Sequence, residues 1–533
     1  MWFPCYHEGH GFGVHGDKLS CHACGRNARA SGQDTDAKGM APAATIYSYG
    51  WESDLYEMSS IAANAPGQST KIYVSNHSYG LLEPEGYFGA YMTDVDDLDG
   101  LVYGNEYYLP FVAAGNDQDL SVTGYDTIAY YGVAKNVMTV GAVEDAVSGE
   151  AREIANAAMT DFSSWGPVDD GRIKPDIVAN GYELKSTSSA SDTGYLQWGW
   201  SGTSMATPNA SGSAALLVEL YKELFSGGAM RASTLKGLII HTADDLGNPG
   251  PDYKFGWGLM NTKAAADLIH DVALGNVLRM QEGTLSEANP SDTYSIYSTG
   301  AEALKVTLCW TDPAANENYD TLPDLVHDLD LRVKGANGTT YPYKLNRDIP
   351  ENNASQGENN VDNVEQVYIE FPDAGSYAVT VDFDGLLPGE SQNYSLLISG
   401  IPSDSDTDSI PDFWEMQYFG STTGALASQD SDGDGADNLT EYISGFDPTD
   451  PASVFAITTQ EAGPNGGAPF VITWDAVEGR IYNVKRSHDL LYDPFAENET
   501  LSGDLPYPAD SFTDLVERVT SPVFYQVEVR LAD

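Results

Sequence analysis

Gly202-Thr203-Ser204-Met205-Ala206-Thr207-Pro208 is a run of small residues that leads into an alanine- and leucine-rich stretch, 209–218. The pattern predicts a turn that places Ser204 in the first turn of a helix. There, free backbone N–H groups and the positive end of the helix dipole favour negative charge. Ser204 is therefore a candidate nucleophile, because an oxyanion formed by its attack would be stabilised at this position. The alternative is that a serine or threonine merely caps a buried helix.

The charge of the chain limits its partners. Its 533 residues contain 26 basic and 79 acidic side chains, which give a formal net charge of −53. Such a field repels nucleic acid and suits divalent cations. No apolar run approaches the ~18 residues of a membrane-spanning helix. We therefore expect neither a nucleic-acid partner nor a membrane span. At roughly 150 residues per domain, about three or four domains are expected.

The region after Gly39 has the pattern of a doubly wound α/β fold. Short β-branched strands alternate with helix-length segments and glycine-bearing turns. One predicted strand ends at Ser78-Tyr79-Gly80, and another ends at Gly115-Asn116. His77, at the end of the first of these strands, is expected to be a core or supporting histidine rather than a catalytic base.

The Ser204 motif resembles the nucleophile signature of the subtilisin-like serine proteases, the subtilases. Pro110–Asn116 resembles the subtilase segment whose asparagine amide donates to the oxyanion, which implies that role for Asn116. Ser78, Tyr79 and Gly80 match the segment that pairs with the substrate as an added β-strand. The resemblance covers about residues 39–275. It implies a serine endopeptidase that acts on a protein or peptide substrate.

The aspartate and histidine of the family should precede the serine in the chain, but residues 1–38 contain neither expected motif. Back-translating 20–30 and reading one nucleotide later gives codons compatible with His-Ala-Thr-His-Val-(Ala/Gly)-Gly-Thr-Leu-Ala, the histidine motif of the family. We hypothesise that the chain before about Ser31 is translated out of frame. The chain as written is then expected to be inactive or nearly so, with its catalytic histidine and aspartate unassigned.

Two alternatives remain open for these features. The first 38 residues could instead hold zinc through thiolates and imidazoles, and the candidate ligands are Cys5, His7 or His10, Cys21 and Cys24. The chain as a whole could be a non-catalytic pseudoprotease, which binds a cell surface or polymer and is braced by calcium. That interpretation explains the missing motifs, but it does not explain why Ser204 and Asn116 keep a catalytic pattern.

The part beyond the predicted catalytic domain changes to short alternating strands, which predict a β-sandwich. Leu325–Leu331 with Asp362–Glu365 is similar to the jelly-roll domain of one subtilase branch. A calcium site formed by Asp328, Asp330 and Asp362 is one interpretation, and solvated carboxylates at strand ends are the favoured one. The domain boundaries expected from these patterns are 1–38 for an atypical N-terminus, 39–275 for a catalytic domain without its N-terminal part, 276–401 for the sandwich, 402–453 for calcium loops and 454–533 for a small all-β module.

The strongest metal signal lies in residues 402–453. A twelve-residue calcium loop places oxygen ligands at positions 1, 3, 5, 9 and 12, with glycine at the sharp sixth position. The second predicted loop has Gly435 at position six, and the first has Ser409 there, so the first should bind Ca²⁺ more weakly. The ligands are Asp430, Asp432, Asp434, Asn438 and Glu441 in the second loop, and Asp404, Asp406, Asp408, Asp412 and Glu415 in the first.

The two loops resemble thrombospondin type 3 or dockerin-like calcium repeats, and the alternative is a flexible acidic linker. The final β module carries no chemical motif, so a surface or polymer contact there is a guess from fold alone. Together, the resemblance and the calcium loops imply a secreted or cell-surface protein.

Overall fold

The computed structural model describes most of the chain. The described residues are 2–4, 38–49, 53–62, 72–80, 87–128, 130–149, 151–186, 195, 199–273, 276–315, 321–385, 387, 391–402, 406, 408–421, 423–462, 469–477, 480–487, 495, 500–515 and 524–531. The zinc alternative and the out-of-frame histidine motif concern residues outside this set. So does Asp404 of the first predicted calcium loop.

A six-stranded parallel sheet forms the centre of the N-terminal half, in the order β2-β1-β3-β4-β5-β8. The strands are β1 (Trp2–Pro4), β2 (Tyr47–Tyr49), β3 (Val74–His77), β4 (Leu109–Ala113), β5 (Met138–Val143) and β8 (Ile177–Asn180). Every residue of β3 and β5 is buried, because a parallel sheet needs cover on both faces. The expected doubly wound α/β sheet is therefore present. It includes Trp2–Pro4, upstream of the boundary predicted at residue 39.

Five helices accompany this sheet: α1 (Asp54–Ala62), α2 (Thr93–Tyr103), α3 (Thr203–Leu224), α4 (Ala232–Thr242) and α5 (Thr262–Ala273). Helix α3 crosses β3, β4, β5 and β8. It buries Ala206, Ala210 and Ala214 completely. These alanines are four residues apart and share one face, so the helix backbone can lie close to the sheet. A short hairpin of β6 (Val147–Ser148) and β7 (Ala151–Arg152) lies outside the sheet.

Two antiparallel four-stranded sheets follow, and residues 280–399 are called the paired-sheet unit below. One sheet has the order β10-β17-β12-β13 and the other β16-β11-β18-β9. The strands are β9 (Met280–Ser286), β10 (Asp292–Ser298), β11 (Leu304–Trp310), β12 (Asp328–Gly335), β13 (Gly338–Thr340), β16 (Val364–Ile369), β17 (Gly375–Asp384) and β18 (Ser391–Ser399), with a small pair β14 (Tyr343–Lys344) and β15 (Ser355–Gln356). Leu329, Leu331 and Val333 alternate into a core shared by both sheets.

The paired-sheet unit packs directly on the α/β domain. Helix α4 lies against β11 and β18. A Cβ atom on Gly237 of α4 would lie only 2.9 Å from Leu397 Cδ2 and 3.1 Å from Cys309 Cβ, so the close approach requires glycine there. Cys309 and Leu397 belong to the same core cluster as Leu238 of α4. The two units therefore share one hydrophobic core.

The C-terminal part contains two short helices and six strands. The helices are α6 (Asp412–Phe419) and α7 (Asn438–Ser444). The strands are β19 (Ile457–Ala462), β20 (Phe470–Trp474), β21 (Arg480–Ser487), β22 (Thr500–Pro506), β23 (Ser511–Asp514) and β24 (Phe524–Leu531), in two three-stranded sheets. Helix α7 contacts this module, since Arg480 Nη2 donates to the Tyr442 carbonyl at 2.8 Å. Among the described residues, no helix is both long and apolar enough to span a bilayer.

Candidate functional site

Ser204 lies in the first turn of α3, as its motif predicts. The helix begins at Thr203, and its N-cap is Gly202, which has φ +153° and contributes no capping side chain. Gly202 N–H donates to the Gly181 carbonyl at 2.9 Å, which ties the turn to the end of β8. Ser204 is half-buried, and its Oγ donates to the Ser78 carbonyl at 3.3 Å. The alternative of a simple serine or threonine cap is therefore not what the structure shows.

Asn116 is held beside the start of the same helix. It follows Gly115, whose φ of +113° turns the chain sharply at the end of β4. Asn116 Oδ1 accepts from Thr203 N at 2.8 Å and from Thr203 Oγ1 at 3.0 Å. These two donors occupy the carboxamide oxygen, so the NH₂ group is the part of the side chain left to donate to a ligand. The residue is exposed.

The segment Ser78-Tyr79-Gly80 begins at the residue that Ser204 contacts. Besides accepting from Ser204, Ser78 is held by its own hydroxyl, which accepts from Asn76 Nδ2 at 3.0 Å. Tyr79 Oη donates to Asp54 Oδ2 at 3.0 Å. The structure thus brings together the predicted nucleophile, the predicted amide donor and the beginning of the predicted substrate segment.

A buried chain of hydrogen bonds supports this segment. His77 is 0% exposed, and its Nδ1 lies 2.7 Å from Tyr79 Oη while its Nε2 lies 2.7 Å from Ser75 Oγ. The proton of Tyr79 goes to Asp54, so His77 Nδ1 donates to Tyr79 and Nε2 accepts from Ser75. Tyr108 Oη in turn donates to Ser75 Oγ at 2.7 Å. Burial lowers the pKa of His77 to about 3, so the ring is neutral. His77 is thus a core histidine, as expected from sequence.

We predict that the buried neutral histidines make the protein less stable in acid. Burial lowers the pKa of His77 to about 3 and the pKa of His241 well below 6.5. Between these lowered pKa values and pH 6.5, the imidazoles take up protons only in the unfolded chain. The free energy of unfolding therefore has its full value above pH 6.5 and decreases as the pH falls below that value. At pH 5 the loss from His77 is about 2 kcal/mol, and the loss from His241 has the same direction.

The measurement is urea unfolding at pH 7.5 and at pH 5.0. His77→Asn should remove about 2 kcal/mol from the difference in unfolding free energy between these two pH values. His270→Gln is the control, because His270 is exposed on α5. An unchanged pH dependence in His77→Asn would contradict the assignment.

The second acidic loop has the geometry of a cation site. Carboxylate oxygens of Asp430, Asp432 and Asp434 lie within 4.8 Å of one another. Gly435, at position six, has φ +102°, a conformation that favours glycine. Five buried oxygens have no hydrogen-bond partner: Asp432 Oδ2, Asp434 Oδ2, Asn438 Oδ1, Glu441 Oε1 and Glu441 Oε2. Burial first, then Asp432 and Asp434, raise the pKa of Glu441 to about 7.

The first acidic loop is less complete. Ser409 occupies position six with φ +76°, which is strained for a residue other than glycine. Both oxygens of Asp408 accept from backbone N–H groups, of Ile410 at 2.9 Å and of Ala427 at 2.7 Å. Glu415 is fully buried, and its Oε2 has no hydrogen-bond partner. Weaker binding by the first loop stays a prediction.

The acidic residues on and beside β12 are more buried than the sequence analysis expected, since it favoured solvated carboxylates at strand ends. Asp330 is 2% exposed, so it is not a solvated carboxylate. Asp362 accepts from Ile173 N at 2.7 Å, in the contact with the α/β domain. Glu365, which the sequence analysis did not consider as a ligand, is 0% exposed beside β12. Glu365 shares one face of its strand with Val367 and Ile369. This alternation is the sequence signal that could have indicated a buried acid.

Comparison with known proteins finds similarity to one protein family in the N-terminal half of the chain. Residues 7–258 match the model of the subtilase family. The serine protease AprX of Bacillus subtilis is 38% identical over 123 residues, which are 21% of this chain and 26% of the relative. A serine protease/ABC transporter B family protein, tagD of Dictyostelium discoideum, is 23% identical over 389 residues, which are 49% of this chain and 21% of the relative. The chain thus spans about a quarter or less of these relatives.

Solved structures of similar proteins include two maturation proteases. The prenylagaramide maturation protease PagA is 21% identical with a TM-score of 0.35, over 48% of this chain and 82% of that one. The self-cleaved protease domain of PatA is 21% identical with a TM-score of 0.36, over 51% of this chain and 88% of that one. These TM-scores are too low to support an argument. Residues 7–258, just under half of the chain, are thus similar to the subtilase family.

Proposed function

We propose that this chain, whose residues 7–258 match the subtilase family, is a serine endopeptidase with Ser204 as its nucleophile. The observation that carries the proposal is the position of Asn116. Its Oδ1 accepts from Thr203, the residue before Ser204, so its carboxamide lies at the start of the helix that carries Ser204. Subtilase relatives that are serine proteases support the same reaction class.

In the proposed reaction, Ser204 Oγ attacks the scissile carbonyl and forms a tetrahedral intermediate. The Asn116 amide and the Ser204 N–H, at the positive end of α3, donate to the oxyanion. A histidine accepts the serine proton and returns it to the leaving amine, while an aspartate orients that histidine. In the subtilase order both of these residues precede the serine, and neither is assigned to a position in this chain.

The substrate is proposed to be an extended protein or peptide chain. Ser78, Tyr79 and Gly80 would pair with it as an added strand. The hydrogen bonds that Tyr79 donates to Asp54 and accepts from His77 support a rigid segment at this place. Preorganised backbone lowers the entropy that substrate binding must overcome.

Labelling with a fluorophosphonate probe tests the proposal. The chain as written should not react, because loss of the base removes the activation of Ser204. A gene with its reading frame restored before about Ser31 should give a protein labelled at Ser204. Ser204→Ala should abolish the label, while Ser201→Ala, at an exposed neighbouring position, should keep it. A folded, frame-restored protein that does not react would favour the pseudoprotease that binds a surface or polymer.

Calcium is the proposed cofactor of the two acidic loops. The oxygen-only donor set is the one that Ca²⁺ prefers. Support comes from the unpartnered oxygens of Asn438 and Glu441, which are 0% and 1% exposed. Asp430, Asp432, Asp434, Asn438 and Glu441 would hold the stronger ion. Asp404, Asp406, Asp408, Asp412 and Glu415 would hold the weaker one.

We predict that Glu441→Gln weakens calcium binding by at least about tenfold, since the residue would supply two of the ligand oxygens. Calorimetric titration of the full chain with Ca²⁺ should lose its tightest phase in this variant. Glu461→Gln, at an exposed position outside the loops, should titrate like the wild type. A wild-type chain that releases no heat with Ca²⁺ would remove the calcium assignment.

Secretion or display on the cell surface is part of the same proposal. Calcium loops of this kind suit the millimolar Ca²⁺ of an extracellular setting. The C-terminal module, residues 454–533, is the proposed contact to a surface or polymer. Its expected role is attachment, because its sequence has no catalytic motif.

A further inference from the structure

Helix α7 (Asn438–Ser444) lies between the second acidic loop and the C-terminal module. It carries two candidate ligands, Asn438 and Glu441, which are both buried. Among the described residues, Asn438 Oδ1 and both carboxylate oxygens of Glu441 have no hydrogen-bond partner. The amide of Asn438 is oriented by its Nδ2, which donates to the Leu426 carbonyl at 2.9 Å and leaves Oδ1 for a ligand. The position of α7 therefore sets where these candidate ligand oxygens lie.

The last turn of α7 is held by the C-terminal module. Arg480, the first residue of β21, donates from Nη2 to the Tyr442 carbonyl at 2.8 Å. A cation is favoured there, because the carbonyl end of a helix carries partial negative charge. Tyr442 directly follows Glu441, and its ring meets Trp414 of α6 with centroids 5.9 Å apart. The residue next to Glu441 is thus held through its backbone by the module and through its ring by α6.

The residue that ends α7 fits closely against the same module. Gly445 is the C-cap of the helix, and it lies beside Val477 and Arg480. A Cβ atom at Gly445 would be only 2.7 Å from Val477 Cγ1 and 3.3 Å from Arg480 Nη2. This contact leaves no room for a side chain at position 445. The end of α7 and the start of β21 are therefore packed at their closest possible approach.

Aromatic rings extend this contact into the core of the module. Phe446, the residue after the C-cap, has its ring centroid 6.1 Å from that of Phe455. Phe455 in turn stacks on Tyr482 of β21, with centroids 5.9 Å apart. Helix α7 also contacts β24, the strand that pairs with β21 along its whole length. The helix and the module therefore cannot shift relative to one another without losing packed contacts.

We propose that Arg480 is a positioning residue for the second acidic loop, so that calcium in this loop and docking of the C-terminal module on α7 stabilise each other. The inference rests on the calcium assignment proposed above for this loop. A guanidinium has no acceptor atom and cannot bind the ion. Arg480 therefore acts only through the helix, by fixing the turn that carries Glu441.

The charges of the loop give this coupling its direction. Asp432 and Asp434 repel the carboxylate of Glu441. A bound cation turns this repulsion into attraction and draws Glu441, together with α7, toward the loop. A helix held in this position keeps the Tyr442 carbonyl where Arg480 docks. Linkage makes the effect reciprocal, because docking must raise the calcium affinity by the same factor by which calcium favours docking.

Calorimetric titration of the full chain with Ca²⁺ tests the reciprocal effect. Arg480→Ala should weaken the tightest calcium phase by at least about fivefold, although residue 480 is not a ligand. Arg480→Lys should recover most of the affinity, because its ammonium can still donate to the Tyr442 carbonyl. Lys485→Ala is the matched control and should titrate like the wild type. It removes a cation from the same strand, roughly 17 Å from Arg480, where Lys485 pairs with Glu528 at 2.7 Å.

Hydrogen exchange of the full chain, measured by mass spectrometry with and without Ca²⁺, tests the coupling from the side of the module. Calcium should slow exchange in β21 and β24 of the wild type by at least about fivefold. At a concentration that saturates only the wild-type loop, it should not slow them in Glu441→Gln. Strand β5 of the α/β domain is the internal control and should not respond. This measurement needs no change at residue 480, so it remains decisive if Arg480→Ala fails to fold.

The outcomes separate this inference from the calcium assignment. A wild-type chain that releases no heat with Ca²⁺ would remove both. Equal calcium affinity in the wild type and in a folded Arg480→Ala would overturn the coupling and leave the calcium site in place. Exchange in β21 and β24 that Ca²⁺ does not change, in a chain that binds Ca²⁺, would have the same consequence.

Discussion

In a frame-restored chain, Ser204→Ala is expected to lower the turnover of a peptide substrate by a factor on the order of 10⁶, and Asn116→Ala by ~10²–10³. In the proposed mechanism the serine forms the covalent intermediate, so its loss removes the reaction path. The asparagine would donate only to the oxyanion, so its loss raises the barrier without removing the path. Steady-state hydrolysis of a chromogenic peptide measures both effects.

The Asn116 effect should fall on kcat and leave KM nearly unchanged. The oxyanion exists only in the transition state and the intermediate, so its donor contributes little to binding of the ground state. Asn353→Ala is the control, because Asn353 is an exposed amide in the paired-sheet unit. Full activity in Asn116→Ala would refute the oxyanion assignment, even if Ser204 proved essential.

The second large effect concerns the contact between the α/β domain and the paired-sheet unit. Asp312→Ala is expected to destabilise the protein by about 3–5 kcal/mol, because it leaves the Lys135 ammonium buried without its partner. Lys135 Nζ lies 2.5 Å from Asp312 Oδ2, and both side chains are 0% exposed. The same ammonium donates to the carbonyls of Pro313 and Asp324 at 2.6 and 2.7 Å.

A double-mutant cycle measured by urea unfolding tests this pair. Lys135→Met combined with Asp312→Ala should recover part of the loss, because no unpaired buried charge remains. The exposed pair Lys263–Asp267, with side chains 84% and 61% exposed, is the matched control. Asp267→Ala should change stability by less than about 1 kcal/mol. Comparable losses at the two sites would show that burial of Lys135 is not what makes the pair important.

Contacts between the α/β domain and the paired-sheet unit explain why we expect these two parts to unfold together. His241 of α4 lies 2.8 Å from Thr307 Oγ1 and 2.7 Å from Ser399 Oγ, on two strands of the paired-sheet unit. With Cys309 and Leu397 in the core of the α/β domain, a chain cut near residue 275 would expose apolar surface and unpaired polar groups. The paired-sheet unit is therefore a structural part of the α/β domain rather than an independent appendage.

The amino-acid sequence by itself determined the local chemistry of this protein. The small residues around Ser204, the glycine before Asn116 and the spacing of acids around Gly435 each specify a turn or helix start within a few residues. Such features depend on backbone freedom and on nearby hydrogen bonds, so periodicity and motif spacing could predict them.

Only the tertiary structure decided which distant residues meet. Asp312 is 177 residues from Lys135, and Glu365 reaches β12 from the opposite sheet. Trp2–Pro4, upstream of the predicted domain boundary, pairs between β2 and β3. No local pattern encodes these contacts, because they follow from the packing of whole sheets and helices. Burial then decides whether a carboxylate is a solvated surface group or a charge that needs a partner.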